Sequence, residues 1–249
     1  MNNQRPFLKT FKITETKSSP IVVSIVGMGG KTSMLFQLAE EAKALGKRVL
    51  ITTTTKMWVP KIQQYDFIDL SGQLFSHISS EDMHAGIYVG AIISAQQRNK
   101  IRGVESKILQ PSLNKFDLVV IEADGSRSKP LKGWRKDEPV VPDFSHFTIG
   151  ILDITCLEKV IDQNLVLRLE LFCKLTNSQP GDQVTLDHLA AIISNQRGLF
   201  QNAAGKKIVF LNKAESQAAT KQCRTLAAML PAYDIYYGSI LNKQVTQQS

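Results

Sequence analysis

A lysine and a threonine at the end of a short glycine-rich stretch are the side chains in this sequence best suited to phosphate chemistry. The stretch reads SIVGMGGKTSM. Glycines let a backbone loop wrap closely around phosphate groups, a lysine then reaches the outer oxygens, and a hydroxyl binds Mg²⁺. In this prediction Lys31 is a catalytic residue at the β- and γ-phosphates, and Thr32 is a magnesium ligand. The residues assigned to the phosphate loop are Gly27, Gly29, Gly30, Lys31, Thr32 and Ser33.

The spacing of this loop is shorter than the full phosphate-loop pattern, G-x-x-x-x-G-K-[ST]. That pattern needs a glycine at position 25, where this sequence has Ile25. The shorter G-x-x-G-K-T spacing is the one used by Mur ligases and folylpolyglutamate synthases. The alternative is a flexible turn between a strand and a helix. A predicted strand before the loop and a predicted helix after it favour phosphate binding.

Two acidic residues, Glu122 and Asp124, end the strongly apolar stretch FDLVVIEAD. The carboxyl end of a buried strand is where open α/β sheets place their ligands. Because a bound triphosphate needs acids to hold its metal, both residues are predicted Mg²⁺ ligands, and Asp124 is also a predicted catalytic residue. The alternative is that they only end the strand and begin a turn at Gly125.

The next segment, SRSKPLKGWRK, is strongly basic. A run of this kind usually forms a solvated surface. Beside a triphosphate site, Arg127 and Lys129 would instead stabilise a transferring phosphoryl group or bind an anionic substrate, so Arg127 is a predicted catalytic residue. The basic residues of the segment are Arg127, Lys129, Lys132, Arg135 and Lys136.

Four consecutive threonines follow a second predicted strand, in TTTTKMW. Threonine favours strands, so some of the four are explained by the strand alone. Thr54 and Thr55 come at its carboxyl end, within reach of a metal or a phosphate, and Thr55 is a predicted Mg²⁺ ligand.

The segment FLNKAE resembles the guanine-reading loop N-K-x-D. Asn212 and Lys213 occupy the first two positions, but Glu215 stands where that loop has aspartate. The three residues are predicted to contact the nucleotide base. Since glutamate is one methylene longer than aspartate, the sequence leaves the choice between ATP and GTP open.

Apolar patterns place these motifs on alternating strands and helices. Such alternation indicates an α/β fold, and together with the phosphate loop it predicts a P-loop NTPase-like three-layer fold with a mainly parallel sheet. Predicted helices cover 31–45, a segment beginning near Thr185, and 216–230. Predicted strands cover 20–26, 48–55, 87–93, 116–124, 146–152, 207–215 and 234–240.

The composition is that of an ordinary globular protein, with 249 residues of which 43% are hydrophobic and 21% charged. Residues 1–18 are predicted to be an N-terminal extension and 19–249 a single P-loop α/β domain. No secretory signal or membrane-length apolar stretch occurs, so a cytoplasmic protein with no membrane partner is expected. The net charge of +8 is accompanied by no nucleic-acid-binding motif, and nucleic acid is not an expected partner.

The chain resembles the YqeC family in six segments that occur in order: VGMGGKTS, GKRVLITTTTKMWVP, IRGVES, VVIEADGSRSKPLK, QPGDQVTLDHLAAII and VFLNKAE. Members of that family are described as accessory proteins of selenium-dependent molybdenum hydroxylases. The resemblance implies a P-loop fold and a role in maturing a molybdenum hydroxylase that carries a labile selenium. The sequence departs from the family at Glu215, where aspartate is usual, and at Ser128, where glycine is commoner.

These features predict a Mg²⁺-dependent protein that binds ATP or GTP. It would hydrolyse the nucleotide or transfer a phosphoryl group to a small anionic substrate or cofactor. The resemblance implies a molybdenum cofactor species and a molybdenum hydroxylase as further partners. Two alternatives stay open, a nucleotide-gated module that binds a cofactor or apo-enzyme with little turnover, and a Mur-like ATP-dependent ligase.

Overall fold

The computed structural model of the protein describes residues 6–247. None of the helices within that range is long and apolar enough to cross a membrane. The α-helices are α1 (Pro6–Thr10), α2 (Lys31–Lys43), α3 (Ser106–Ser112), α4 (Leu169–Thr176), α5 (Leu186–Ser194) and α6 (Gln217–Met229). The strands are β1 (Ile21–Gly27), β2 (Arg48–Thr53), β3 (Lys56–Trp58), β4 (Phe67–Asp69), β5 (Gly86–Gly90), β6 (Ile92–Ile93), β7 (Lys100–Arg102), β8 (Leu118–Glu122), β9 (Leu131–Lys132), β10 (Phe147–Asp153), β11 (Val166–Leu167), β12 (Lys206–Asn212), β13 (Asp234–Ser239) and β14 (Gln244–Gln247).

Nine strands form one large sheet in the order β14-β13-β12-β10-β1-β8-β2-β5-β4. Every neighbouring pair is parallel except β13 and β14, which run antiparallel. The central strands β1, β8 and β10 are apolar along almost their whole length because both of their faces are buried, as is usual in parallel sheets. The predicted α/β fold of the P-loop NTPase-like type is confirmed.

Two hydrophobic cores cover the two faces of this sheet. Successive residues of β1 alternate between them, with Val22 and Val26 in one core and Val23 and Ile25 in the other. The first core includes residues of α5 and α6, and the second includes residues of α1 and α2. The sheet is therefore the middle layer between two layers of helices.

The N-terminal helix α1 packs on the second core. Phe7 and Phe11 are fully buried, and both rings meet the Phe210 ring edge to face, with centroids 5.5 and 6.1 Å apart. The Glu41 carboxylate of α2 accepts hydrogen bonds from the backbone N–H groups of Phe7 and Leu8, at 3.3 and 2.9 Å. The predicted N-terminal extension thus contributes side chains to the packed core, and the division into extension and domain stays a prediction.

The prediction of one strand over 87–93 is wrong at its centre. The chain leaves the large sheet after Gly90, and Ile92–Ile93 pairs antiparallel with Lys100–Arg102 in a small sheet ordered β3-β7-β6. The Ala91 N–H donates to the Asp69 carbonyl at 3.0 Å, the last link to the large sheet at this point. Both segments are apolar, so periodicity could not reveal the break between them.

Candidate functional site

The carboxyl ends of the parallel strands bring the predicted site residues to one edge of the large sheet. The glycine loop follows β1, Glu122 ends β8, and Asn212 ends β12. Since β8 and β10 flank β1, the loop lies between the ends of two strands. Ligands of open α/β sheets bind at this edge.

The loop after β1 requires glycine for its backbone conformation. Gly27, Gly29 and Gly30 have φ angles of 90°, 77° and 145°, which other residues rarely adopt. A side chain would also collide with the neighbouring strand ends, because a Cβ atom on Gly29 would overlap Asp153 and one on Gly30 would overlap the Asn212 amide. The glycines therefore let the loop lie against β10 and β12 while it turns into α2.

The backbone N–H groups from Gly29 to Ser33 form a continuous run of unused donors. Within residues 6–247 none of the five has a hydrogen-bond acceptor, whereas Gly27 and Met28 donate to the Asp124 carboxylate and the Ile151 carbonyl. The run includes the first turn of the 13-residue helix α2, whose N-terminus carries a partial positive charge. Successive free N–H groups at a helix start bind anions, and phosphate in particular.

Lys31 lies inside the protein beside this run. Only 7% of the residue is exposed, and its Nζ donates to the Ser126 hydroxyl at 3.2 Å. Burial lowers the pKa of the Lys31 ammonium, while the nearby carboxylates of Glu122 and Asp124 oppose that shift. An added anionic group next to Nζ would favour the charged form.

Glu122 contacts the residue that follows Lys31. Its Oε2 accepts a hydrogen bond from the Thr32 hydroxyl at 2.7 Å. Burial raises the pKa of the Glu122 carboxyl, against the effects of Lys31 and of the Thr32 hydrogen bond. Thr32 and Glu122 were both predicted magnesium ligands, and the fold has brought their oxygens into contact.

The threonines at the end of β2 adjoin β8. The Thr53 hydroxyl donates to the Glu122 carbonyl at 2.7 Å, and the hydroxyls of Thr53 and Thr55 are 3.3 Å apart. Thr54 turns away, since its hydroxyl donates to the Val140 carbonyl at 2.6 Å. Thr55 therefore lies one hydrogen bond from the strand end that carries Glu122, and its role as a metal ligand stays a prediction.

Asp124 is fully buried and surrounded by protein donors. Its Oδ2 accepts from the Gly27 N–H at 3.0 Å and from the Trp134 indole N–H at 3.1 Å. Its Oδ1 is 2.5 Å from Nζ of Lys132, which is itself fully buried. These contacts are those of an anchor for the start of the phosphate loop. The predicted metal-binding and catalytic roles of Asp124 stay predictions, and metal binding would have to compete with three donors.

The ion pair of Asp124 extends into a buried network. Lys132 also contacts Glu138 at 3.0 Å, and Glu138 receives two 2.6 Å hydrogen bonds from the Arg168 guanidinium. The chain of charges runs from the phosphate loop to the residue that precedes α4. The basic run is therefore not a uniformly solvated surface, because Lys132 supplies the compensating charge for two carboxylates.

The two other predicted anion-binding residues of the run differ in their surroundings. Arg127 is exposed, has a left-handed φ of 49°, and has no hydrogen-bond or ion-pair partner within the described part of the chain. Lys129 donates to the carbonyls of Gln163 and Asn164 at 3.0 and 2.8 Å. Of the two, only Arg127 is left with its charge directed into solvent.

The N-K-x-E segment reaches the loop through its asparagine. The Asn212 amide donates to the Gly29 carbonyl at 2.7 Å and accepts from the Ile240 N–H at 3.1 Å. Lys213 pairs with Asp153 at 2.5 Å. Asn212 thus fixes the phosphate loop to the segment after β13.

Glu215 lies further along the same surface. Its Oε1 accepts from the Ser239 hydroxyl at 2.6 Å, and it lines an open cleft of about 570 Å³ between α6 and β14. The sequence predicted that Glu215 contacts the nucleotide base, and this stays a prediction. The fold adds that one of its carboxylate oxygens accepts a hydrogen bond from Ser239.

Sequence reasoning missed four residues that hold the predicted ones in place. Ser126 lies in the quoted EADGS segment, but a single serine carries no signal of a lysine partner. Lys132 and Trp134 are hidden in the basic run, and Asp153 ends a strand that has no motif of its own. The four contact Lys31, Asp124 and Lys213.

The donor set is compatible with a magnesium ion bound together with a nucleotide. Within residues 6–247 no three His, Cys, Asp or Glu side chains converge on one point. The candidate oxygens are the Glu122 carboxylate, the Thr32 hydroxyl in contact with it, and the Thr55 hydroxyl, which stays a predicted ligand. Mg²⁺ usually binds such sites through one or two carboxylates and completes its shell with phosphate oxygens and water.

The fold and the glycine loop define the class: an α/β protein of the P-loop NTPase-like type. The family model described as YqeC protein matches residues 23–170. A relative from Escherichia coli (strain K12), named uncharacterized protein YqeC, is 31% identical over 198 residues, which span 78% of this chain and 76% of the relative. The chain belongs to the YqeC family.

Proposed function

We propose that the protein binds a magnesium nucleoside triphosphate, ATP or GTP, at the carboxyl edge of its sheet. The observation that carries this proposal is the run of five unused N–H donors from Gly29 to Ser33 beside the buried ammonium of Lys31. Five donors and a lysine, converging at the start of a helix, match a chain of phosphates better than a single carboxylate.

Different residues bind the phosphates and the metal ion in the proposed complex. The N–H run and Lys31 hold the β- and γ-phosphates, while Thr32, Thr55 and Glu122 hold Mg²⁺. When bound, the ion neutralises charge on the phosphate oxygens. Asp124 holds the loop in its binding conformation through Gly27. Arg127, whose side chain is exposed, would meet charge that develops on a transferred phosphoryl group. Within the family, such a site would serve the maturation of selenium-dependent molybdenum hydroxylases.

Replacement of Glu122 by glutamine is expected to remove most of the magnesium dependence of nucleotide affinity. The amide keeps the shape and can still meet Thr32, but it lacks the charge that attracts the ion. For the wild type, the magnesium dependence should fade on acidification at a pH above 4.5, the ordinary glutamate pKa, because burial raises the pKa of Glu122 and protonation removes its charge. Isothermal titration at several Mg²⁺ concentrations and pH values measures both effects.

Asp124→Asn is the matched comparison, since it removes a charge two residues away. It is expected to weaken nucleotide binding through loss of the Gly27 anchor while magnesium dependence is retained. If the two variants and the wild type show the same magnesium dependence, neither acid holds the ion.

The Glu215 loop is expected to give only a modest base preference, with GTP over ATP by less than about tenfold, or ~1.4 kcal/mol. A carboxylate distinguishes guanine from adenine well only when both of its oxygens accept hydrogen bonds from the base. The Glu215 carboxylate is one methylene longer than aspartate and is held by Ser239, so it aligns poorly with both donors. Glu215→Asp should sharpen the preference. Titrations of both nucleotides on this variant, with the exposed Glu170→Asp as control, measure the ratio. An unchanged ratio would remove Glu215 from the base site.

A nucleotide-gated binding module is the second candidate function. It is favoured by the contact of Lys31 with Ser126, because a bound phosphate would draw the lysine from the segment that carries Arg127 and Ser128, both in left-handed conformations. Steady-state hydrolysis of ATP and GTP separates the two. Sustained turnover supports the enzyme, and tight binding without turnover supports the gated module.

A further inference from the structure

Strands β3 and β7 of the small sheet present one polar and one buried face. Along β3 and β7 the residues Met57 and Ile101 are buried, at 4% and 0% exposure. The residues that alternate with them lie on the opposite face, where Lys100 is half-buried and the other three are exposed. They form a surface that we name the β3–β7 face, made of Lys56, Trp58, Lys100 and Arg102.

The β3–β7 face is cationic. The sequence has no acidic residue over 52–65 or over 91–104. Lys56 donates to the Gln96 amide oxygen at 2.9 Å, and Arg102 forms no ion pair within residues 6–247. The acid near Arg102 is Glu105, whose carboxylate is paired with Lys107 at 2.7 Å. Three positive charges on adjacent strands are therefore left for an anionic ligand.

Trp58 supplies an aromatic surface among these charges. The residue is 59% exposed, although tryptophan is normally well buried. The Lys100 ammonium lies 4.7 Å from the centroid of its ring, in cation–π contact. An exposed indole beside cations offers stacking for a planar ring that carries negative charge.

The face has a direction set by strand pairing. Lys56 pairs with Arg102, and Trp58 pairs with Lys100 two residues further along. The Lys56–Arg102 pair lies next to the carboxyl edge of the large sheet, where the nucleotide is proposed to bind. Thr55, just after the end of β2, directly precedes Lys56. Gly103, which follows Arg102, packs so closely on the Thr53 carbonyl that a Cβ atom on it would overlap that oxygen. At ~3.4 Å per residue, the indole lies roughly 7 Å from the Lys56–Arg102 pair.

We propose that the β3–β7 face binds a planar heterocycle carrying a phosphate group. The ring stacks on Trp58, and the phosphate lies between Lys56 and Arg102, on the side of the Thr53–Thr55 strand end. Single-stranded nucleic acid is a poorer match, since it stacks successive bases on several aromatic residues and this face has one. One part of this proposal rests on the proposed function, namely that the ligand is the second substrate beside the nucleotide. Binding to the face is an independent property.

The test uses the Lys31→Ala protein, so that the phosphate loop does not contribute to binding. Flavin mononucleotide and pyridoxine 5′-phosphate are titrated, each against its parent without phosphate, riboflavin and pyridoxine. At least one phosphorylated probe should bind about tenfold more tightly than its parent. Trp58→Ala and the double variant Lys56→Ala/Arg102→Ala should each weaken that binding by about tenfold or more, as expected for loss of one stacking or ionic contact.

Ile62→Ala is the control for an exposed apolar residue, at 72% exposure, and should leave probe binding unchanged. Absence of phosphate-dependent binding for both probes overturns the proposal. Binding of an octathymidylate that needs Trp58, with no binding of either probe, overturns it in favour of a nucleic-acid surface. If the probes bind but the protein with Lys31 intact binds neither ATP nor GTP, the β3–β7 site is supported and the proposed function is rejected.

Discussion

Replacing Lys31 by alanine is expected to weaken nucleotide binding at least about 100-fold, or ~2.7 kcal/mol, while the protein stays folded. The lysine supplies a buried ammonium beside the free N–H groups of the loop, and charge-assisted hydrogen bonds to phosphate are the strong ones in such a site. Its loss breaks the hydrogen bond of Nζ to the Ser126 hydroxyl, and the raised pKa of Glu122 lets that carboxyl take up a proton more easily once the counter-charge is gone. Isothermal titration with ATP and GTP measures the effect, and thermal unfolding checks the fold.

Lys9→Ala is the matched control for that experiment. Lys9 is an exposed lysine of α1, and the same substitution there should leave affinity for both nucleotides unchanged. Equal affinity of the wild type and the Lys31 variant for ATP and for GTP would contradict the phosphate-loop assignment.

The second large effect is expected from Lys132→Met, which should lower the free energy of unfolding by about 3–5 kcal/mol. Lys132 is fully buried and pairs with both Asp124 and Glu138. Methionine fills similar space but leaves two carboxylates without a buried counter-charge, apart from the Arg168 contact of Glu138. Urea unfolding followed by circular dichroism measures the change as a shift in midpoint.

Lys129→Met provides the comparison within the same basic run. Its ammonium binds two exposed carbonyls, so the expected loss is about 1 kcal/mol or less. The double variant Asp124→Asn/Lys132→Met should lose less stability than the sum of the losses in the two single variants. Each single variant leaves a buried charge without its partner, whereas the double variant removes both charges of the pair. If Lys132→Met is as stable as the wild type, the buried network does not support the loop.

Several parts of the site could be predicted because they depend on local sequence. Gly27, Gly29 and Gly30, which the sequence assigns to the loop, adopt backbone conformations that favour glycine for local steric reasons. Glu122 was correctly placed at the end of a buried strand, which its run of β-branched neighbours indicated. The helix predicted to begin near Thr185 is confirmed as α5, and the structure shows that Thr185 caps it through the His188 N–H.

Other parts could not be predicted because they depend on residues far apart in the chain. The contacts of Asn212 with Gly29 and of Lys213 with Asp153 join residues that are 60 or more positions apart in the chain. The break between β5 and β6 arises from pairing with β7, which periodicity does not encode. Partners of this kind become visible only when the strand order is known.

The sequence by itself determined the class of fold, and it predicts the type of chemistry. Alternating apolar segments require a mainly parallel sheet between helices, and a glycine–lysine–threonine loop between a strand and a helix indicates phosphate binding. Only the tertiary structure decided which of the charged side chains are paired inside the protein and which are exposed to solvent. It buried Lys132 as the counter-ion of Asp124 and left Arg127 in solvent, although both belong to one basic run. The physical reason is that the cost of burying a charge depends on its partners in space, and spacing along the chain does not specify them.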